Sequence, residues 1–203
     1  MEIRGAPPAL RRRAEMNIPA PQRAPAAAAK GAPEYATVAG LLALYRAREA
    51  SPVEVVQDLL ARVDKYESHL HCFVTQTPEI ALARARAAEE QVMGDGGGGA
   101  LTGIPYGLKD VICTAGILTT GQSKILRDHV PQHDAEVAAR MNEAGGVLLG
   151  KLTTYEFAHG GPSWDLPWPP AMNPWQAGYL PGSTSSGPGA AVAAGLLPAA
   201  IGT

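Results

Sequence analysis

From Thr37 onward, apolar residues return every third or fourth position, which gathers them on one face of a helix. Leu41, Leu44 and Tyr45 share such a face, with Arg46 and Arg48 opposite. A second helix is predicted from Ser51-Pro52-Val53-Glu54. Ser51 suits the N-cap, Pro52 the first helical position, and Glu54 completes a capping box. Val53, Val56, Leu60 and Val63 give this helix one apolar stripe. His71 to Thr75 reads as a short strand, and Thr77-Pro78-Glu79 opens a third helix carried by the alanine-rich run Ile80 to Val92. Gly94 to Gly99 ends it as a glycine-rich surface loop.

Beyond this loop the pattern changes to alternating strands and helices. Ile104 to Ile112 is an extended apolar segment with one lysine, Lys109, inside it. Asp134 is the predicted cap of a helix with the face Val137, Ala138 and Met141, closed by Gly145-Gly146. Val147-Leu148-Leu149 is a continuous apolar run, as expected of a strand buried on both faces. Strand, helix and buried strand in this order predict an α/β fold with a mixed or parallel sheet. A loop with four consecutive hydroxyls, Ser183 to Ser186, then leads into a small-residue helix from Ala190 to Leu197. Residues 1–34, rich in Ala, Pro and Arg, carry no apolar period and read as a disordered leader. Residues 35–203 form the folded domain.

Composition narrows the function classes. Hydrophobic residues are 46% of 203, enough for a core, while a net charge of −2 and 5% aromatic residues offer no electrostatic or stacking surface for nucleic acid. No apolar run approaches the roughly 18 residues of a membrane span. Cys72 and Cys113 belong to no CxxC pair, which predicts free, buried thiols in a reducing compartment, and with them a cytoplasmic protein. His69 and His71 alternate across the predicted strand, and His129 and His133 flank Pro131. Neither pair has a clustered carboxylate or thiolate, so no metal site is implied. No cofactor motif survives either. Gly145 to Lys151 nearly spells a phosphate loop, but Leu152 stands where a magnesium-binding hydroxyl belongs, and the intervening residues read as a strand.

Lys109 lies between Leu108 and Val111. Burial there would disfavour the ammonium and make the lysine a candidate base. The alternative is a structural lysine, paired with Asp110 or snorkelling to the surface. A hydroxyl-rich loop elsewhere in the chain favours chemistry, since a lysine beside serine hydroxyls is one route to an activated nucleophile.

With both elements identified, the chain from about Ala36 to Thr203 resembles the amidase signature family. The resemblance rests on Gly103 to Asp110, Gly150 to Ala158, Asn173-Pro174-Trp175 and the terminal glycine/serine loop. It implies a mixed sheet wrapped by helices, with an amino-terminal helical section. It also implies cleavage or transfer at a carboxamide C–N bond through an acyl-enzyme, by a Ser–cis-Ser–Lys triad acting on a small-molecule amide. Lys109 falls on the family's lysine. Counting back from Gly195 puts Thr184 on the cis-serine, with Ser185 able to substitute only through a local register shift. Three departures concern this loop: Ser183 for a glycine, Thr184 for the serine, and Pro188 for a serine. The family's nucleophilic serine follows in Asp-Thr-Gly-Gly-Ser after the Gly-Thr at which this sequence stops. The expectation is therefore an amino-terminal portion, truncated before the nucleophile and inactive alone. The A subunit of a tRNA-dependent amidotransferase shares the same motifs, and a non-catalytic remnant is the third reading. A homodimer or partner subunits are compatible with all three.

Overall fold

The computed structural model describes residues 36–94, 98–176 and 178–203. The expected leader at residues 1–34 and the centre of the Gly94–Gly99 loop lie outside them. Helix α1 spans Val38–Ala47, capped by the Thr37 hydroxyl, which accepts from Gly40 N at 3.0 Å. Helix α2 spans Pro52–Leu70 and opens with the expected capping box: Ser51 Oγ accepts from Glu54 N at 3.2 Å, and Glu54 Oε2 accepts from Ser51 N at 3.0 Å. Its buried stripe is centred on Val55, Val56, Leu59 and Val63, while Val53 and Leu60 lie at the half-buried margin. The expected stripe had the right face but missed its centre by about a sixth of a turn.

Strand β1 runs Phe73–Gln76, two residues later than the pattern predicted. His71 is the left-handed cap of α2 (φ 51, ψ 44), and its amide donates to Glu67 O. The histidines expected to alternate on a strand thus occupy the last turn and the cap of a helix. Cys72 is buried as expected, whereas Cys113 is exposed. Helix α3, Pro78–Met93, buries Ala81, Ala85 and Ala88, small residues at helical spacing that let it lie close to its neighbours.

Strand β2 spans Pro105–Lys109, shorter than the extended segment predicted, because the chain turns after Lys109 with Ile112 N donating to Lys109 O at 3.0 Å. Helix α4 is Glu136–Glu143, and its N-cap is Ala135. Asp134, the expected cap, accepts from Ala115 N at 2.7 Å and Asn142 Nδ2 at 3.2 Å, tying a loop to the helix from outside. Strand β3 spans Val147–Leu152 and is buried throughout. Helix α5 runs Ser186–Ala193, starting earlier and ending earlier than the apolar run suggested; the chain turns at Gly195 (φ 67) with Leu196 and Leu197 buried beyond it. Strand β4 is Ala200–Ile201.

The sheet order is β1-β3-β2-β4, with β1 antiparallel to β3 and both β3 and β4 parallel to β2. The fold is therefore a mixed α/β sheet with helices packed on it. One core joins α1, α2, α3 and α5 to Val147, Leu149 and Leu152; a second joins α4 to Tyr106, Leu108 and Leu148. One irregularity organises the site. Tyr106 pairs with Leu148 but Gly107 pairs with Gly150, so β3 carries an extra residue there. An extra residue reverses the alternation of side chains beyond it. Leu149 and Leu152 thus share one core, and Lys151 points away from both.

Glu67, in the last turn of α2, locks the entry to β1 by accepting from Cys72 N at 3.0 Å and Phe73 N at 2.7 Å. Burial pushes its carboxyl up to about 7 despite those two bonds. The folded state therefore holds this proton more tightly than the unfolded chain, and the associated stability is present below pH 4.5 and lost as pH rises through 7. Glu67→Gln is expected to shrink the difference in unfolding free energy across that window by about 1–2 kcal/mol, discounting for the group's partial exposure. Urea titrations at both pH values measure it; an unchanged difference would show that Glu67 does not carry the dependence.

Candidate functional site

The parallel arrangement of β2 and β4 sets their carboxyl ends side by side, the place where α/β sheets present ligand-binding residues. Lys109 is the last residue of β2, and Gly107 and Leu108 pair with Ala200 and Ile201, so Thr203 follows just beyond the same edge. The loop before α5 closes over this edge. Lys109 is 0% exposed. Its Nζ donates to Thr184 Oγ1 at 2.8 Å, Ser185 Oγ at 3.2 Å and Thr203 Oγ1 at 2.7 Å. Burial lowers the lysine's pKa from its ordinary value. Ser185 also ties the edge together: its Oγ donates to Thr203 O at 3.1 Å and accepts from Thr203 N at 3.2 Å.

All three residues singled out from the sequence, Lys109, Thr184 and Ser185, thus meet within hydrogen-bonding distance. Thr203 was missed. Its signal was a hydroxyl at the exit of a strand parallel to the lysine's own, legible only once that pairing was known. Two of the loop's departures cost little here. Ser183 is not among the positive-φ residues, so the substituted glycine position demands no left-handed backbone. Pro188 is the third residue of α5, where the amide has no partner inside the helix and proline removes nothing. The resemblance implies a cis bond before the relay hydroxyl; among the described residues no peptide bond is cis.

Asp110 does not pair with Lys109. It points to the opposite face of β2, where its Oδ2 accepts from Thr120 Oγ1 at 2.6 Å and Thr120 N at 3.0 Å. Its Oδ1 lies 3.8 Å from Lys151 Nζ, both side chains being fully buried. Lys151 also donates to Ile112 O at 2.7 Å and Thr119 Oγ1 at 2.6 Å. Burial pushes the Asp110 carboxyl up and draws Lys151 down to about 8, each opposed by its partner. This second buried lysine, in the stretch that mimics a phosphate loop, is a structural strut; the strand that carries it leaves no amides free for phosphate.

Helix α5 abuts the end of β3. Gly187 N donates to Thr153 O at 2.9 Å, and a Cβ at Gly187 would lie 2.5 Å from Thr153 N and 2.7 Å from Cys72 O. Backbone atoms in a sheet cannot yield cheaply, so Gly187→Ala is expected to destabilise by about 1–3 kcal/mol. Thermal melting checks this, and an unshifted midpoint would mean that the helix can back away freely.

The protein family described as Amidase matches residues 54–203. The A subunit of glutamyl-tRNA(Gln) amidotransferase from Methylococcus capsulatus is 47% identical over 167 residues, covering 82% of this chain and 34% of the relative. Among solved structures, 6-aminohexanoate cyclic dimer hydrolase complexed with substrate aligns with a TM-score of 0.74 and 30% identity, over 82% of this chain and 33% of that one. The A subunit of glutamyl-tRNA(Gln) amidotransferase from Thermotoga maritima aligns with a TM-score of 0.66 and 30% identity, over 83% and 34%. The chain thus spans about a third of the length of the curated relatives it matches.

Proposed function

The chain belongs to the amidase family, and from that premise we propose that it supplies the base and proton relay for cleavage or transfer at a carboxamide C–N bond. The observation that carries this reading is a lysine closed off from water with three hydroxyls on its Nζ. A desolvated amine is easily left neutral. Neutral Lys109 takes the proton of the Thr184 hydroxyl, and Thr184 Oγ1 takes the proton of an attacking serine hydroxyl, which the family resemblance places beyond Thr203. The serine oxygen bonds to the carbonyl carbon, the C–N bond breaks, and the relayed proton passes back to the departing amine. Ser185 and Thr203 accept from Nζ as well and hold Lys109 in line. Among the described residues no helix is long and apolar enough to cross a membrane.

A second reading, a place as the A chain of a tRNA-dependent amidotransferase, is favoured by the 47% identity to such a protein. It calls for partner chains and for glutamine as amide donor. Turnover of glutamine and of simple aliphatic and aryl amides, compared between wild type and Lys109→Ala in a protein that carries the attacking serine, tests the shared chemistry. Turnover that survives the substitution overturns it, and co-purifying partner chains select the amidotransferase branch.

A further inference from the structure

The hydroxyl run Ser183 to Ser186 is held at both ends by one short segment that leaves β3. On its carboxyl side Gly187 N donates to Thr153 O at 2.9 Å. On its amino side the Tyr155 hydroxyl donates to Gly182 O at 2.7 Å. The same β3 fixes the lysine from below, since Leu152 is the register partner of Lys109. Thr153 and Tyr155 therefore measure the loop's distance from the strand that carries Lys109.

The two anchors differ in kind. The Gly187 anchor is a backbone contact in a crowded place and belongs to the packing of α5 against β3. The Tyr155 anchor is a single side chain; the next hold toward the amino terminus is buried Leu180, whose carbonyl accepts from Asn173 Nδ2 at 3.5 Å. Gly182 sits at φ 144, and a Cβ there would meet no atom within 4 Å, so nothing packs against it from that side. Tyr155 is 5% exposed, and burial raises the pKa of its phenol, so it stays protonated and remains a donor. Thr184 is two residues beyond the carbonyl it holds.

We propose that Tyr155 is a positioning residue that sets the hydroxyl loop, and Thr184 in particular, onto Lys109. This rests on reading Lys109 and Thr184 as base and relay. Tyr155 acts through the loop and takes no part in the proton transfer. Without its hydroxyl the amino-terminal end of the loop is released, while the Gly187 anchor keeps α5 in place. Water then reaches Nζ, and the desolvation that lowers the lysine's pKa is relieved.

Tyr155→Phe keeps the ring and removes the bond. The expected result is ~tenfold faster backbone hydrogen exchange at Ser183, Thr184 and Ser185, with exchange in α2 unchanged. In the same variant the pH midpoint for acylation of Lys109 by an amine-reactive acylating agent should rise toward the ordinary lysine range. Unchanged loop exchange overturns the proposal. Equally faster exchange in α2 also overturns it, because the hydroxyl would then support the whole fold. A loosened loop with an unmoved Lys109 midpoint leaves Tyr155 a loop tether only and overturns its positioning role. None of these readouts is turnover, so a failure of the amide chemistry would leave them intact and would be seen separately in Lys109→Ala.

Discussion

Asp110→Ala is expected to destabilise the fold by about 3–5 kcal/mol, the cost of leaving a buried charge without its partner. Lys151 is 0% exposed and has the Asp110 carboxylate 3.8 Å away. Its remaining partners, Ile112 O and Thr119 Oγ1, are neutral. The substitution also strips acceptors from Thr120 N and Oγ1, which are buried with it. The pH dependence follows with a definite sign. The folded state holds the Lys151 proton less tightly than the unfolded chain, so its contribution to stability rises with pH between about 8 and 10.5. Removing Asp110 takes away the strongest pull that opposes burial, so the lower edge of that window moves further down. The double variant Asp110→Ala/Lys151→Met should recover part of the loss. Urea unfolding of both measures this, and a double variant as unstable as the sum of two independent losses would refute the pairing.

In a protein that carries the attacking serine, and with Lys109 as the proposed base, Lys109→Ala should remove base catalysis while leaving the protein folded. General-base groups contribute about 10²- to 10⁴-fold, so kcat for amide turnover is expected to fall within that range, with KM changed little. The structural cost is smaller than for Asp110, because the lysine's partners are hydroxyls at the half-exposed mouth of the site, which can turn to water. Thr184→Val removes only the relay oxygen at nearly constant volume. It should lower kcat in the same direction and leave Ser185 and Thr203 on the lysine. A Thr184→Val protein with unaltered turnover would move the relay role to Ser185, which lies 3.2 Å from Nζ.

Local rules made much of the architecture legible. The capping box at Ser51 and Glu54, the proline at the start of α2 and the apolar run at Val147 each depend on neighbours in sequence, and each formed as the chemistry dictates. Local rules failed where a side chain outside the periodic pattern competed. His71 has the composition of a strand residue, yet it caps α2 because Glu67 turns back to bind the next two amides. Asp134 has the composition of a cap, yet Ala115 N claims its carboxylate.

The candidate site divides in the same way. Sequence alone singled out a lysine in an apolar strand and a hydroxyl-rich loop as candidate reactive groups, because an unshielded charge in such surroundings calls for a chemical or structural reason. It could not determine which carboxylate belongs to which lysine. Asp110 adjoins Lys109 in the chain, but successive residues of a strand point to opposite faces. The extra residue in β3 turns Lys151 to the face where Asp110 lies, and leaves Lys109 on the face the hydroxyl loop covers. Bulge and strand order are properties of pairing between distant segments, so only the tertiary structure could give one lysine a carboxylate and the other only hydroxyls.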